Sequence, residues 1–446
     1  MVIKNEKILI ANGKTANIQK IRKDILTLLT AGISSVDPYR KVQSYVKNNS
    51  ILLPSRAVSL KDFSHVYLVS FGKASIRMAK AIIDEVTITK GVIITNIADS
   101  SFSHERIKLF HGNHPIPNHD SIEGTREIEQ IIAEMNEDDV LIVLISGGGS
   151  ALLSHPRISL KDMQETTLKL IQSSATIQEI NTIRKHLSFV KGGQLIQHAK
   201  GKVISLIISD VIGDPLGFIA SGPTTGDETT FQDAYDICSK YDLWNNIPFS
   251  VKDVIKKGLN HEISDTPDAS DSIFDRVANM IIANNSLSCE TIYNTAKQLG
   301  YKPIIFSTTL QGEAKDVGKK IIDKFTSYKK EGTCNLFITS GETTVTVNGI
   351  GKGGRNQEMV LSSLELLQEN NLVFTSIGTD GIDGISNAAG AIADPYSLER
   401  ALEKGIHPKY FLNNNDSNSF FHLLKDEIIT GSTGTNVMDK KIIISL

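Results

Sequence analysis

The sequence predicts an α/β protein of two domains built around parallel sheet, and three observations carry that expectation. Short apolar runs such as Val140–Ile145 and Val203–Ile208, the second interrupted only by Ser205, have the length of strands buried on both faces, too short to be spanning helices. Amphipathic helical patterns separate these runs, the alternation from which parallel sheets are made. At 446 residues the chain is long enough for two or three cores that need neither disulfides nor metals.

Taken in order, Met1–Asn12 is an arm of no clear pattern, and Ile18, Ile21, Ile25, Leu28 and Leu29 then recur at helical spacing. In HVYLVSFGKAS a strand at 66–69 runs into the turn residue Gly72, and Ala74–Ile83 continues as an amphipathic helix. Lys73 at that junction places an ammonium at a strand's carboxyl end, although a solvated surface lysine is the competing reading. GVIITN is a second strand. IKLFHGNHPIP is read as irregular because of its prolines, and His111 and His114 suit turn and hydrogen-bonding roles better than metal ligation. Ser121–Met135 forms a helix leading into the central strand at 140–145.

That strand ends at Ser146 and three glycines. Gly147, Gly148 and Gly149 permit positive φ and present successive N–H groups, with a helix beginning near Ser150. Such a turn at the end of a parallel strand suits a phosphate or carboxylate. The alternative is a plain strand-to-helix turn, since the spacing is neither GxGxxG nor GxxxxGK[ST]. Helices at 160–173 and 177–187 follow, and then RKHLSFVKGGQL, where Lys185, His186 and Lys191 beside Gly192 and Gly193 suit a second anion contact or simply a basic helix end. The strand at 203–208 delivers Ser209 and Asp210, with Asp214 in a Gly-Asp-Pro turn; carboxylates there either hold Mg²⁺ or cap loops.

Residues 227–271 are polar and mixed, and the domain junction is placed there, giving an N-terminal domain at 1–245 and a C-terminal domain at 275–446. Beyond it the α/β rhythm resumes, with strands in MIIANN, PIIFSTT, NLFITSG and at 372–377, and a helix at 288–299. TVTVNGIGKGGRNQEM reads as a hairpin whose glycines deliver Arg355, a guanidinium suited to a two-pronged contact with a carboxylate or phosphate. SIGTDGIDG ends a strand in Asp380 and Asp383. Its look of a calcium loop fails because a strand, not a helix, precedes it.

Composition bounds the function. A formal net charge of −3 gives no broad attraction to nucleic acid or to an anionic membrane, and no stretch approaches eighteen uninterrupted apolar residues. Three scattered cysteines, none in a CxxC pair, fit a reducing compartment rather than a disulfide framework or zinc site. A soluble cytoplasmic protein acting on small molecules is the expectation, with a homo-oligomer left open.

FGKAS, NHPIP, SGGGSALL, HLSFVKGGQL, SDVIGD with IASGPT, SGETTVTVNGIGKGGRNQE, GTDGIDG and GSTGTN stand in the order found in the glycerate 2-kinase family, which the chain resembles over residues 66–437. It departs from that pattern at Asn387, where aspartate is commoner, and at Met438, where asparagine is. The resemblance implies a Rossmann-like N-terminal domain, a smaller C-terminal MOFRL domain and an active site in the cleft between them. It further implies ATP-dependent phosphorylation of D-glycerate to 2-phosphoglycerate with Mg²⁺. On that reading Ser146, Gly147, Gly148, Gly149, Ser150, Lys191 and Gly192 bind the nucleotide, and Lys73 and Arg355 neutralise phosphate and substrate carboxylate. Asp210 or Asp380 holds Mg²⁺ or orients the attacking hydroxyl. Phosphoryl transfer requires these three provisions and little covalent chemistry from the protein. The alternatives are phosphorylation at the 3-hydroxyl, a hydroxypyruvate or glycerate oxidoreductase, and a non-catalytic binder of a carboxylate or nucleotide. The oxidoreductase lacks a GxGxxG between strand and helix.

Overall fold

A computed structural model describes residues 2–97 and 102–446. The chain divides into two compact units, Pro38–Ile282 in one and Met1–Asp37 with Ala283–Leu446 in the other.

The Pro38–Ile282 unit begins with a small antiparallel meander of β1 (Val46–Lys47), β2 (Ser50–Leu52) and β3 (Ala57–Ser59). Its main strands are β4 (Val66–Phe71), β5 (Lys90–Thr95), β6 (Ile107–His111), β7 (Val140–Ile145) and β8 (Lys202–Ile208). With β9 (Val277–Ala283) they make a six-stranded sheet in the order β6-β5-β4-β7-β8-β9, parallel from β6 through β8. Every residue of β4 and of β7 is buried, as continuous apolar runs require when helices cover both faces. Crossover helices at Ser75–Ile83 and His119–Glu134 lie close to the expected positions, the second opened by a capping box of Asn118 and Ser121. β6 was expected to be irregular. Its proline-free segment Ile107–His111 pairs along β5 before Pro115 and Pro117 intervene.

The other unit holds β10 (Pro303–Leu310), β11 (Leu336–Gly341), β12 (Leu372–Ile377), β13 (Gly390–Ala393), β14 (Glu427–Ile428) and β15 (Asp439–Ser445), in the order β10-β11-β15-β12-β13-β14. Only β10 and β11 pair in parallel. β15 lies antiparallel between β11 and β12.

The domain boundaries differ from those expected. Helix Ala16–Ser34 leaves the first unit because its apolar stripe has its partners elsewhere. Ile18, Ile21, Ile25, Leu28 and Leu29 share a core with Cys289, Ile292, Ala296, Ile338, Val373 and Ile442. The contact is close enough that a Cβ on Gly32 would lie 2.7 Å from Ile292. The polar stretch at 227–271 marks no junction either. Helices Phe231–Lys240 and Phe249–Leu259 pack Phe231, Val251 and Ile255 with Ile180 and Ile183 in a satellite core of the Pro38–Ile282 unit. Surface polarity mimicked a linker there.

Candidate functional site

Parallel registry places the carboxyl ends of β4, β7 and β8 side by side, with Phe71 opposite Ile145 and Ile145 opposite Ile207. Ligands of open α/β sheets bind beyond such ends. The turns that follow are tied together. The Lys73 amide donates to the Gly147 carbonyl at 2.9 Å, the Ala74 amide to Ser146 Oγ at 3.0 Å, and the Ser146 amide to the Phe71 carbonyl at 3.2 Å. Glycine is required at two points. A Cβ on Gly147 would sit 2.1 Å from Asp210 Oδ2, and Gly148 adopts the left-handed conformation at φ 82°. Among the described residues the amides of Gly147 and Gly148 meet no intramolecular acceptor, whereas that of Gly149 donates to the Ser146 carbonyl.

Lys73, Asp210 and the glycines are therefore brought together, and His114 joins them. Its Cδ2 lies 3.1 Å, and Lys73 Cγ 3.4 Å, from the position a Gly148 Cβ would take. Burial first, then the charges of Lys73 and Arg184, hold the His114 pKa below the usual histidine value. Arg184 is half-buried and donates from Nη2 to the Ser150 carbonyl at 3.2 Å.

Other expected ligand contacts are turned inward. Lys191 Nζ donates to the carbonyls of Ser150 (2.7 Å) and Leu153 (2.9 Å), so this lysine closes the carboxyl end of helix Gly149–Leu152 instead of reaching outward. Burial lowers its pKa well below the ordinary lysine value, with Arg184 adding to the effect. The Gly192 amide donates to the Ser221 carbonyl, and the Ser150 hydroxyl meets Ser221 Oγ at 3.1 Å. Lys185 is paired with buried Asp227 at 2.9 Å.

In the other unit Arg355 begins helix Arg355–Leu361 rather than riding on a hairpin. The preceding glycines lie flat on Asn414–Ser417. A Cβ on Gly349 would meet the Asn414 carbonyl at 2.2 Å and one on Gly353 would meet Ser417 Oγ at 2.3 Å, so a side chain at either would lift the segment off. Asn415 Oδ1 accepts from the amides of Asn348 and Gly349. The guanidinium fork is already occupied. Nε and Nη2 donate to Asp439 at 2.7 and 2.9 Å, and Nη2 also meets Glu342 at 3.1 Å. Only Nη1 has no acceptor among the described residues. Burial raises the Asp439 pKa, but Lys441 and Arg355 outweigh it and hold the carboxylate below the usual range. Glu342 is pushed up, chiefly by burial.

Asp383 is inaccessible to a metal. It is 1% exposed and accepts from the amides and side chains of both Asn356 and Gln357, capping the start of helix Arg355–Leu361. Asp380 sits at the turn after β12, where Oδ1 accepts from the Ile382 amide at 3.1 Å. No cluster of three or more His, Cys, Asp or Glu side chains among the described residues is arranged to hold a metal ion. Sequence reasoning passed over Arg184 and Asp439, and it gave His114 only a turn role. The signal for His114 was its place in a loop after a strand whose end joins the same rim.

Comparisons with known proteins agree with this architecture. Residues 24–256 match the family described as a domain of unknown function (DUF4147), and residues 335–439 match the MOFRL family. Over 94% of this chain and 96% of its own length, the glycerate 2-kinase of Pyrococcus horikoshii is 41% identical. The D-glycerate 2-kinase of Thermotoga maritima is 36% identical over 88% of this chain and 94% of its own. A putative hydroxypyruvate reductase of Agrobacterium vitis is also 35% identical, over 96% of both. The crystal structure of a glycerate kinase from Thermotoga maritima superposes with a TM-score of 0.84 at 34% identity, covering 96% of this chain and all of that one. Two family matches and near-complete coverage place this chain in the glycerate 2-kinase family.

Proposed function

We propose that the protein transfers the γ-phosphoryl group of ATP to the 2-hydroxyl of D-glycerate. One observation carries the reading: Lys73, Arg184 and His114 gather around two unengaged glycine amides, with the Asp210 carboxylate against the same turn. Cations and backbone N–H groups at the end of a parallel sheet suit transferring phosphates, and their fixed positions stabilise developing charge without reorganisation. The amides of Gly147 and Gly148 receive phosphate oxygens. Lys73 neutralises the charge on the transferred group. Arg355 is a further cation for an anionic group of the ligands, through Nη1, while Asp439 fixes the plane of its guanidinium.

Nucleotide-bound Mg²⁺ takes only one or two protein carboxylates because phosphates and waters supply the other oxygens. Asp210 fits that requirement by its place against Gly147, and Asp380 is the second candidate. When bound, the ion would draw charge from the phosphate oxygens. Among the described residues no helix is long and apolar enough to cross a membrane, and three buried free thiols suit a reducing cytoplasm.

The test is phosphorus NMR on protein incubated with ATP and D-glycerate, beside a parallel incubation with NAD(P)⁺. A 2-phosphoglycerate resonance is expected. A 3-phosphoglycerate signal would move the reaction to the other hydroxyl, and reduced nicotinamide without a phosphorylated product would replace the kinase by an oxidoreductase. The turn after β4, FGKAS, lacks the glycine pattern of a dinucleotide site.

A further inference from the structure

We infer that His114 is a further catalytic residue: it accepts a hydrogen bond from the attacking hydroxyl and takes its proton as the phosphoryl group is transferred. The inference rests on the kinase reading above.

Its ground is the setting of the imidazole. His65, His155 and His422 are each joined to a carboxylate, Asp139, Glu129 and Glu427 respectively, the usual arrangement of a histidine serving structure. His114 has no hydrogen-bond partner at either ring nitrogen among the described residues, although it is partly buried. Its Cδ2–Nε2 edge faces the Gly148 turn, with Cδ2 3.1 Å and Nε2 3.6 Å from the position of a Gly148 Cβ. An imidazole at that edge, beside amides that suit phosphate, is placed to meet the hydroxyl that attacks it.

The charged groups facing this site determine its protonation. Lys73 comes from the turn after β4, Arg184 from helix Ile177–His186, and Asp210 from the end of β8 against Gly147. Burial disfavours imidazolium, and the two cations beside the ring add to it. The ring is therefore neutral at physiological pH and has a lone pair to offer.

The glycerate 2-hydroxyl oxygen forms a bond to the γ-phosphorus as the bond from that phosphorus to the β,γ-bridging oxygen breaks, and the electron pair leaves with ADP. The hydroxyl proton passes to an imidazole nitrogen of His114 and then to solvent. General-base assistance of this kind contributes roughly 10²–10⁴-fold.

The experiment compares kcat at saturating ATP and D-glycerate for wild type, His114→Gln and His114→Ala across pH 5–9, with circular dichroism and ATP affinity measured on each. The expected result is a wild-type rate that falls on the acid side and variants at least 100-fold slower with ATP affinity kept. The acid limb should vanish in His114→Gln, and added imidazole should partly restore His114→Ala. Folded variants within tenfold of wild type, or an acid limb that survives in His114→Gln, would overturn the assignment. Should His114→Ala fail to fold, the glutamine variant decides the outcome through its rate and pH profile. A wild-type protein that binds ATP but yields no phosphorylated glycerate would overturn the kinase reading itself, and the assignment with it.

Discussion

Arg22 and Asp426 lie 404 residues apart in sequence and meet as a fully buried pair, with Nη1 to Oδ1 at 2.7 Å and Nη2 to Oδ2 at 3.2 Å. The same guanidinium reaches Asp394 and the Leu9 carbonyl, and Arg400 supports Asp426 from another side. Truncating one member of a buried, hydrogen-bonded pair leaves the others uncompensated, at about 3–5 kcal/mol. Arg22→Ala should therefore lower the unfolding transition of the Met1–Asp37/Ala283–Leu446 unit by that amount. A urea midpoint equal to wild type would show the network contributes nothing.

Lys73→Ala should reduce kcat by two to three powers of ten, because a cation aimed at developing charge is worth about 3–4 kcal/mol. Circular dichroism should match wild type, since the main-chain bond from Lys73 to Gly147 does not involve the side chain. Near-native turnover in the folded variant would remove the residue from the reaction.

Gly147→Ala tests the carboxylate against the turn. Its methyl group would overlap Asp210 Oδ2, so the side chain must move while the strands beneath stay paired. Activity should drop at least tenfold, with a higher Mg²⁺ concentration needed for half-maximal rate. An unchanged Mg²⁺ response would show that the position of Asp210 is immaterial.

Arg355→Lys keeps the charge but loses the fork that holds Asp439. Turnover should fall by about the same factor as in Arg355→Ala, to within tenfold, and thermal stability should decline because buried Asp439 loses both hydrogen bonds. A fully active lysine variant would show that a point charge suffices.

Lys440 carries a pH prediction. Burial pushes its pKa down to about 8, while the ammonium donates to Asn285 Oδ1 at 2.8 Å and to the Val437 carbonyl at 2.6 Å. In the unfolded chain a lysine titrates near 10.4. Between these values the unfolded state binds more protons, so this residue's contribution to stability rises with pH from about 8 to about 10 and is lost as pH falls through 8. The stability difference between wild type and Lys440→Met, from urea melts at pH 7 and pH 10, should shift toward wild type at the higher pH. A pH-independent difference would contradict it.

The apolar runs at 66–69, 140–145 and 203–208 revealed their strands because a strand buried on both faces shows almost only apolar residues. β15 was harder to see. Its first residues, Asp439, Lys440 and Lys441, are charged, yet all three are buried, and Arg355, Asn285 and the Gly341 carbonyl are their partners distant in sequence. The stripe of Ile18 through Leu29 predicted its helix but not its partner, since an amphipathic face records only that something apolar must cover it. In the site, Gly147, Lys73 and Asp210 were visible as strand-end residues. The inward turn of Lys191 depended on two carbonyls of a helix about forty residues earlier, which no local pattern encodes. Met438 is left-handed at φ 65°, a conformation asparagine takes more readily than methionine, and the local sequence gives no sign of it.

The place of β15 between β11 and β12 sets an order on biosynthesis. Pro38–Ile282 is one uninterrupted stretch and can close as it emerges, whereas helix Ala16–Ser34, made earlier, must wait for partners made far later. Until Asp439–Ser445 has been synthesised, β11 and β12 each present an unpaired edge of buried-type residues to the surroundings. A nascent chain halted at Met438 should therefore carry one protease-resistant unit and one sticky, digestible one, and it should call on chaperones that the slightly longer chain no longer needs.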